Sequence, residues 1–353
     1  MHSNLENNLI KNLKLSLEDF KNQKNVTGEH WNYYYKDSAK FFDIKNLRNF
    51  RNQNLLANGL DDSLLFNKFT NKEEVIKNLI EEIGEDFFYK NLNKKNVGNC
   101  DSYISFKNNE IDFNDLLKMH WYRDLDSHIF NKSKIDNICE IGGGYGNLAR
   151  IILNNHDCKY FLIDLPQTNL MSSFYLQNNF ENKKIYLYSD YKNESNNEIS
   201  EENLDKFDIF ILTPWCNLPK KLSIDLFINA KSMMEMNFGM ITRYFKLIHE
   251  KTKTNGFFLN INRYEKDSVG HPIRIHEYPY DNNWDVIMSK QSVIQNKIHF
   301  LLTQRKYENI KNDIKSELGR IEKIAKIFYR KVSHFEAIQK NIKKLMSKYI
   351  KSF

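Results

Sequence analysis

Hydrophobic positions in the first hundred residues recur at helical spacing. Leu5, Leu9, Ile10, Leu13 and Leu17 form one such stripe, and Val75, Ile76, Leu79, Ile80 and Ile83 form another. Asn- and Gly-containing breaks near 25–28, 58–61 and 93–101 separate the predicted helices. The pattern changes at about Ile111, where helices begin to alternate with short apolar runs, as in a parallel α/β sheet. The predicted strands are Asn137–Ile141, Lys159–Asp164, Ile224–Asn229 and Phe257–Asn262, with Trp284–Met288 and Lys297–Thr303 closing as a hairpin. Helices are predicted over Asp112–Phe130, Asn147–Asn154, Pro166–Asn179 and Phe238–Lys251. Two runs compete for the third sheet position. Phe207–Leu212, which ends in Thr213-Pro214, is preferred, and Lys183–Tyr188 is read as an inserted edge strand.

After Lys306 apolar residues from Ile310 to Tyr349 return every three or four positions, so a long amphipathic helix is expected. The chain thus divides into a helical region over 1–110, an α/β domain over 111–305 and a terminal helix over 306–353. Net charge is +7, but 306–353 alone carry 13 Lys and Arg against five Asp and Glu. The α/β body is therefore nearly neutral. The basic helix can pack on the body or on a second copy of the chain, or it can lie on an anionic membrane surface. No nucleic-acid partner is expected, because the aromatic interleaving of such a groove is thin. Four cysteines without a C-x-x-C pair, and no signal-like or bilayer-spanning run, suggest a reduced, cytoplasmic protein, with the inner membrane face as a peripheral location. In the N-terminal region Trp31, Tyr33, Tyr34, Tyr35, Phe41 and Phe42 form an aromatic cluster that is read as core, with a substrate cover as the alternative.

Candidate chemistry concentrates where strand one ends. Glu140 closes the strand, and Gly142, Gly143, Gly144, Tyr145 and Gly146 lead directly into a helix. Spaced glycines permit positive φ and let a ligand lie against bare backbone. Asp164 ends the next strand, where a carboxylate meets ribose hydroxyls in nucleoside-binding sheets. A dinucleotide fingerprint G-x-G-x-x-G would require glycine at 147. Asn147 stands there, and the glycine comes one residue early.

A leading acid followed by G-x-G-x-G resembles motif I of class I S-adenosylmethionine-dependent methyltransferases. The order of segments narrows this. Glu140–Gly146, Ile163-Asp-Leu-Pro, Asp225-Leu-Phe-Ile-Asn with Ser232-Met-Met-Glu-Met, and Phe257-Phe-Leu-Asn-Ile-Asn look like the bacterial sugar O-methyltransferase family, over roughly residues 112–305. The resemblance implies a Rossmann-like α/β sheet of about seven mostly parallel strands, with S-adenosylmethionine as cofactor. Its candidate contacts are Glu140, Gly142, Gly143, Gly144, Tyr145, Gly146, Asp164, Leu165, Thr213, Pro214 and Asn229. The acceptor expected is a hydroxyl of a sugar or glycan precursor. A phenolic acceptor, a non-catalytic scaffold and an NAD oxidoreductase stand as alternatives.

Ligands in open α/β sheets lie beyond the carboxyl ends of the strands. A sugar hydroxyl is a poor nucleophile, and Glu235 and His276, with His271 behind them, are the candidate bases. No metal site is expected, since the acceptor loop lacks paired aspartates, although Asp281 and Asp285 leave one open.

Overall fold

A computed structural model of the chain describes residues 2–23, 38–52, 72–101, 103–267, 270–295 and 297–327. Trp31–Tyr35, and the terminal helix beyond 327 with its oligomer and membrane readings, lie outside these residues.

Helix α1 spans His2–Phe20, α2 spans Lys72–Ile83 and α3 spans Phe113–Leu125. Between the last two lies an unforeseen hairpin of β1 (Tyr103–Phe106) and β2 (Asn109–Asp112). Its two-residue turn places Lys107 at φ +46° and Asn108 at φ +63°, which matches the twist that such turns require. Asp112 then caps α3 by accepting the Asn114 N–H at 2.9 Å.

The central sheet contains β3 (Asn137–Ile141), β4 (Lys159–Ile163), β5 (Ile185–Tyr186), β6 (Ile209–Leu212), β7 (Ile224–Ala230), β8 (Thr252–Arg263), β11 (Trp284–Gln291) and β12 (Ile298–Arg305). A small hairpin, β9 (Glu265–Asp267) with β10 (Pro272–Arg274), projects between β8 and β11. Across the sheet the order is β5-β6-β4-β3-β7-β8-β12-β11. All neighbours are parallel except β12, which runs antiparallel to both β8 and β11. The sheet is the Rossmann-like α/β arrangement expected, with eight strands rather than about seven. The extra strand is β5, on the outer edge of β6, so Phe207–Leu212 does supply the third strand.

Strand alternation explains why the sheet is covered on both faces. Ile138, Tyr160, Leu162, Ile209, Leu226 and Leu259 point to one side, packed with Leu9, Leu13, Ile76, Leu79 and Leu116 from the N-terminal helices. Cys139, Phe161, Phe210, Phe227 and Phe258 point to the other. That second face is covered by Ile241, Phe245 and Ile248 of the helix Phe238–Lys251, and by Ile314, Ile321 and Ala325 of a helix over 314–327. The first turns of the predicted terminal helix therefore pack on the body. No helix among the described residues is long and apolar enough to cross a membrane.

Candidate active site at the carboxyl end of the sheet

The chain leaves β3 toward β4, then returns across β3 to β7, so the strand order reverses beside β3. A ligand crevice is expected there. A cavity opens at this point, and its walls come from both sides of the reversal: Glu140, Gly142 to Gly144 and Asp164 on one side, Ala230 to Ser232 and Glu235 on the other.

The glycine loop is built as its spacing requires. Gly142, Gly144 and Gly146 have φ of +74°, +59° and +89°, whereas Gly143 does not need the left-handed region. A Cβ on Gly142 would collide with the Ser232 Oγ, and one on Gly143 would lie 2.8 Å from Leu162 and 2.9 Å from Glu140. Gly146 caps the helix α4, Asn147–Asn155.

Asp164 fixes the loop from β4. Its carboxylate accepts the Gly144 N–H at 2.9 Å and the Leu165 N–H at 2.7 Å, and it stays open to the cavity on one side. Burial pushes its pKa up to about 7, against the lowering by these two N–H groups. Glu140 is buried and accepts the Tyr160 hydroxyl at 2.7 Å; burial likewise raises it to about 7, with Tyr160 and Lys118 opposing.

Asn147, the residue that breaks the dinucleotide fingerprint, has a structural task. Its Oδ1 accepts Arg150 Nε at 3.3 Å, Arg150 Nη2 at 3.2 Å and the Tyr175 hydroxyl at 3.2 Å. Arg150 also faces Asp115 at 3.3 Å, and all of these groups are buried. A glycine there would leave a buried guanidinium short of acceptors.

On the opposite wall of the cavity, two asparagines hold the loop after β7. Asn229 donates to the Ile141 carbonyl at 2.7 Å and accepts the Met233 N–H at 3.1 Å. Asn262 accepts the Met234 N–H at 3.1 Å and donates to Asn229 at 2.8 Å. Lys231, at φ +63°, donates its N–H to the Ile261 carbonyl at 2.6 Å. Glu235 is thereby set on the cavity wall in a short 3-10 turn, Met233–Glu235, and its carboxylate pairs with Lys266 of β9.

The sequence-derived residues therefore separate into groups. Glu140, Gly142, Gly143, Gly144, Tyr145, Asp164 and Glu235 surround one cavity. Gly146, Leu165 and Asn229 support it from behind, and Asn229 is fully buried. Thr213 and Pro214 stand apart: Thr213 is buried with its hydroxyl 3.2 Å from the Cys216 Sγ, and Pro214 borders a different groove with Arg243 and Tyr244.

The two histidines are not brought to the cavity. Pairing of β10 with β9 turns Ile273 and Ile275 into the core. His276 is consequently half-buried among Glu277, Glu322, Arg274 and Lys326, beside the helix over 314–327, and burial lowers its pKa. His271 is exposed at the tip of that hairpin. Asp281 and Asp285, the aspartates that left a metal site open, are engaged by Arg305 and Lys306.

Sequence reasoning missed the contribution of α3. Asn114, Lys118 and Trp121 line the cavity, with the Lys118 Nζ 3.6 Å from the Trp121 ring centroid. The i, i+3 spacing of Lys118 and Trp121 was the available signal. Trp121 is buried, and its Nε1 has no hydrogen-bond partner among the described residues. Thr168, from the helix after β4, also lines the cavity.

No family model matches the chain, and no curated protein matches it. Solved structures do, at low likeness. Mitomycin 7-O-methyltransferase MmcR is 13% identical with a TM-score of 0.34, covering 54% of this chain and 57% of its own. An rRNA methylase from Streptococcus thermophilus is 11% identical with a TM-score of 0.34, covering 54% and 96%. An RNA methyltransferase from Salinibacter ruber, solved with S-adenosyl-L-homocysteine, is 7% identical with a TM-score of 0.32, covering 54% and 95%. Likeness at this level reaches about half of the chain, so the chemistry has to come from the site itself.

Proposed function

We propose that the chain is an S-adenosylmethionine-dependent methyltransferase that acts on a hydroxyl oxygen, with a sugar or glycan precursor as the acceptor. One observation carries this reading: two left-handed glycines, Gly142 and Gly144, line a cavity at the strand-order reversal, where Gly144 donates to the half-buried Asp164 carboxylate and a second carboxylate, Glu235, stands on the opposite side.

The residues present fit such a cofactor. Side chains are excluded at Gly142 and Gly143 by contacts under 3 Å, so the loop offers bare backbone. Asp164 offers its open side to ribose hydroxyls, and the Trp121 Nε1 is a buried donor lacking a partner among the described residues. Asn147 argues against a dinucleotide, because its position belongs to the Arg150 and Tyr175 anchor.

When bound, the cofactor would supply an electrophilic methyl group on a sulfonium centre, whose sulfur keeps the bonding pair on displacement. The protein's share is alignment and proton management. Glu235 is the base that receives the acceptor hydroxyl's proton, a contribution of about 10²–10⁴ in rate. The polar wall of Asn114, Lys231, Ser232 and Glu235 suits a polyhydroxylated acceptor.

Calorimetry should show binding of S-adenosylhomocysteine and none of NAD. Methyl-labelled cofactor should then label nucleotide sugars or cell-derived glycans. Labelling of phenolic acceptors alone would overturn the sugar assignment, and NAD binding would overturn the class.

A further inference from the structure

The connection from β6 to β7, over 213–223, packs on the second face of the sheet as turns rather than as a helix. A groove of about 770 Å³ lies between this connection, the loop over 196–198 and the helix Phe238–Lys251. That volume falls within the roughly 300–1,000 Å³ of small-molecule sites. Ile163, Leu218 and Tyr244, all buried, give it an apolar floor. The groove shares the end of β4 with the cavity described above, since Ile163 belongs to one and Asp164 to the other.

Four cations line the groove, Lys220, Arg243, Lys246 and Lys251, against two carboxylates, Glu198 and Glu250. Lys251 staples the connection to the helix, because its Nζ donates to the carbonyls of Pro219 and of Lys220, the latter at 2.8 Å. Arg243 is held in place from the same connection: its Nη2 donates to the Pro214 carbonyl at 3.0 Å. Its other guanidinium nitrogens, and the Lys220 Nζ, have no hydrogen-bond partner among the described residues. Lys246 follows Arg243 by three positions on the same helix face. Its pair with Glu250, at 3.9 Å, is exposed and holds it weakly.

We propose that this groove binds a phosphate monoester, with the phosphate on Arg243, Lys246 and Lys220 and the organic part over Ile163, Leu218 and Tyr244. A monoester carries a charge of about −1.5 to −2 at pH 7, which complements the excess of two cations. A planar guanidinium can engage two phosphate oxygens at once. The ligand class stands on these residues alone. That the monoester is a sugar phosphate, and so the acceptor's own, rests on the reading above.

Calorimetry of the full chain with glucose 1-phosphate, inorganic phosphate and glucose tests this. Glucose 1-phosphate should bind in the presence of saturating S-adenosylhomocysteine, more tightly than inorganic phosphate, and glucose should not bind. Combining Arg243→Gln with Lys246→Gln should weaken glucose 1-phosphate by about tenfold or more, while S-adenosylhomocysteine affinity stays constant. Should that variant fail to fold, Lys220→Gln with Lys246→Gln carries the same comparison. No binding to the wild type at millimolar concentration overturns the proposal, as does unchanged affinity in the folded variant. Displacement by S-adenosylhomocysteine also overturns it, by putting the ester in the cofactor's cavity. Equal affinity for inorganic phosphate overturns the ester assignment, because the floor then adds nothing. If glucose 1-phosphate binds as expected but no sugar is methylated, the sugar-methylating reading fails and the groove stands.

Discussion

The guanidinium of Arg51 lies over the ring of Tyr145, 5.1 Å from its centroid. The aromatic residue of the glycine loop is thus held by a cation from the N-terminal third of the chain. Arg51 is also paired with Asp112, and both are buried. Breaking a buried pair from one side leaves an uncompensated charge, which costs about 3–5 kcal/mol. Arg51→Met should therefore lower the unfolding free energy by that amount in urea titrations. Adding Asp112→Asn, which keeps the cap on Asn114, should recover much of it. No recovery in the double variant would show that the pair is not the source of the loss.

Gly142 and Gly319 make opposite demands. Alanine at 142 would be strained at φ +74° and would drive its methyl into Ser232. Gly142→Ala should abolish S-adenosylhomocysteine binding by calorimetry. Adding Ser232→Gly should not restore it fully, because the backbone strain remains. Gly319 sits in the helix over 314–327, and an added methyl there would have no described atom within 4 Å. Gly319→Ala should stabilise the fold by about 0.5–1 kcal/mol and leave binding alone.

The difference in what could be read beforehand follows from how local each signal is. Glu140, the glycine loop and Asp164 were legible because positive φ and strand-end placement are written within a few residues. Glu235 was legible because it closely follows β7. Lys118 and Trp121 were not, since only the packing of α3 beside the loop makes them part of the cavity. His276 misled for a related reason. A loop dense in polar residues does not state which way it faces, and here the β9–β10 pairing sends it toward the helix over 314–327. The hairpin around Lys107–Asn108 escaped notice because its turn uses Lys and Asn where glycine is the usual marker.

Asn147→Gly would complete the G-x-G-x-x-G spacing and so tests which feature selects the cofactor. It would also remove the acceptor shared by Arg150 and Tyr175. Leaving buried donors unsatisfied costs about 1–3 kcal/mol, so a lower melting temperature is expected with no gain of NAD binding. Micromolar NAD affinity in this variant would mean that the glycine register alone decides the cofactor.

Asp164 makes stability depend on pH, and on the function proposed above it does the same for cofactor binding. Its folded-state pKa, about 7, lies above the ordinary aspartate value of 3.8, so between these limits the native state holds a proton that the unfolded chain has released. Stability contributed through Asp164 therefore falls as pH rises from about 4 to 7 and levels off above that. His299 acts oppositely. Burial lowers it from 6.5 to about 4, so the unfolded chain binds the extra proton in that window and stability rises with pH. Asp164→Asn should remove only the first effect, giving a steeper rise of unfolding free energy between about pH 4.5 and 6.5 in urea titrations. Ribose hydroxyls donating to Asp164 would favour its charged form, so S-adenosylhomocysteine binding near about pH 6.5 should release protons. Calorimetry in buffers of different ionisation enthalpy measures that release. It should vanish in Asp164→Asn, and an unchanged proton release in that variant would place the titrating group elsewhere.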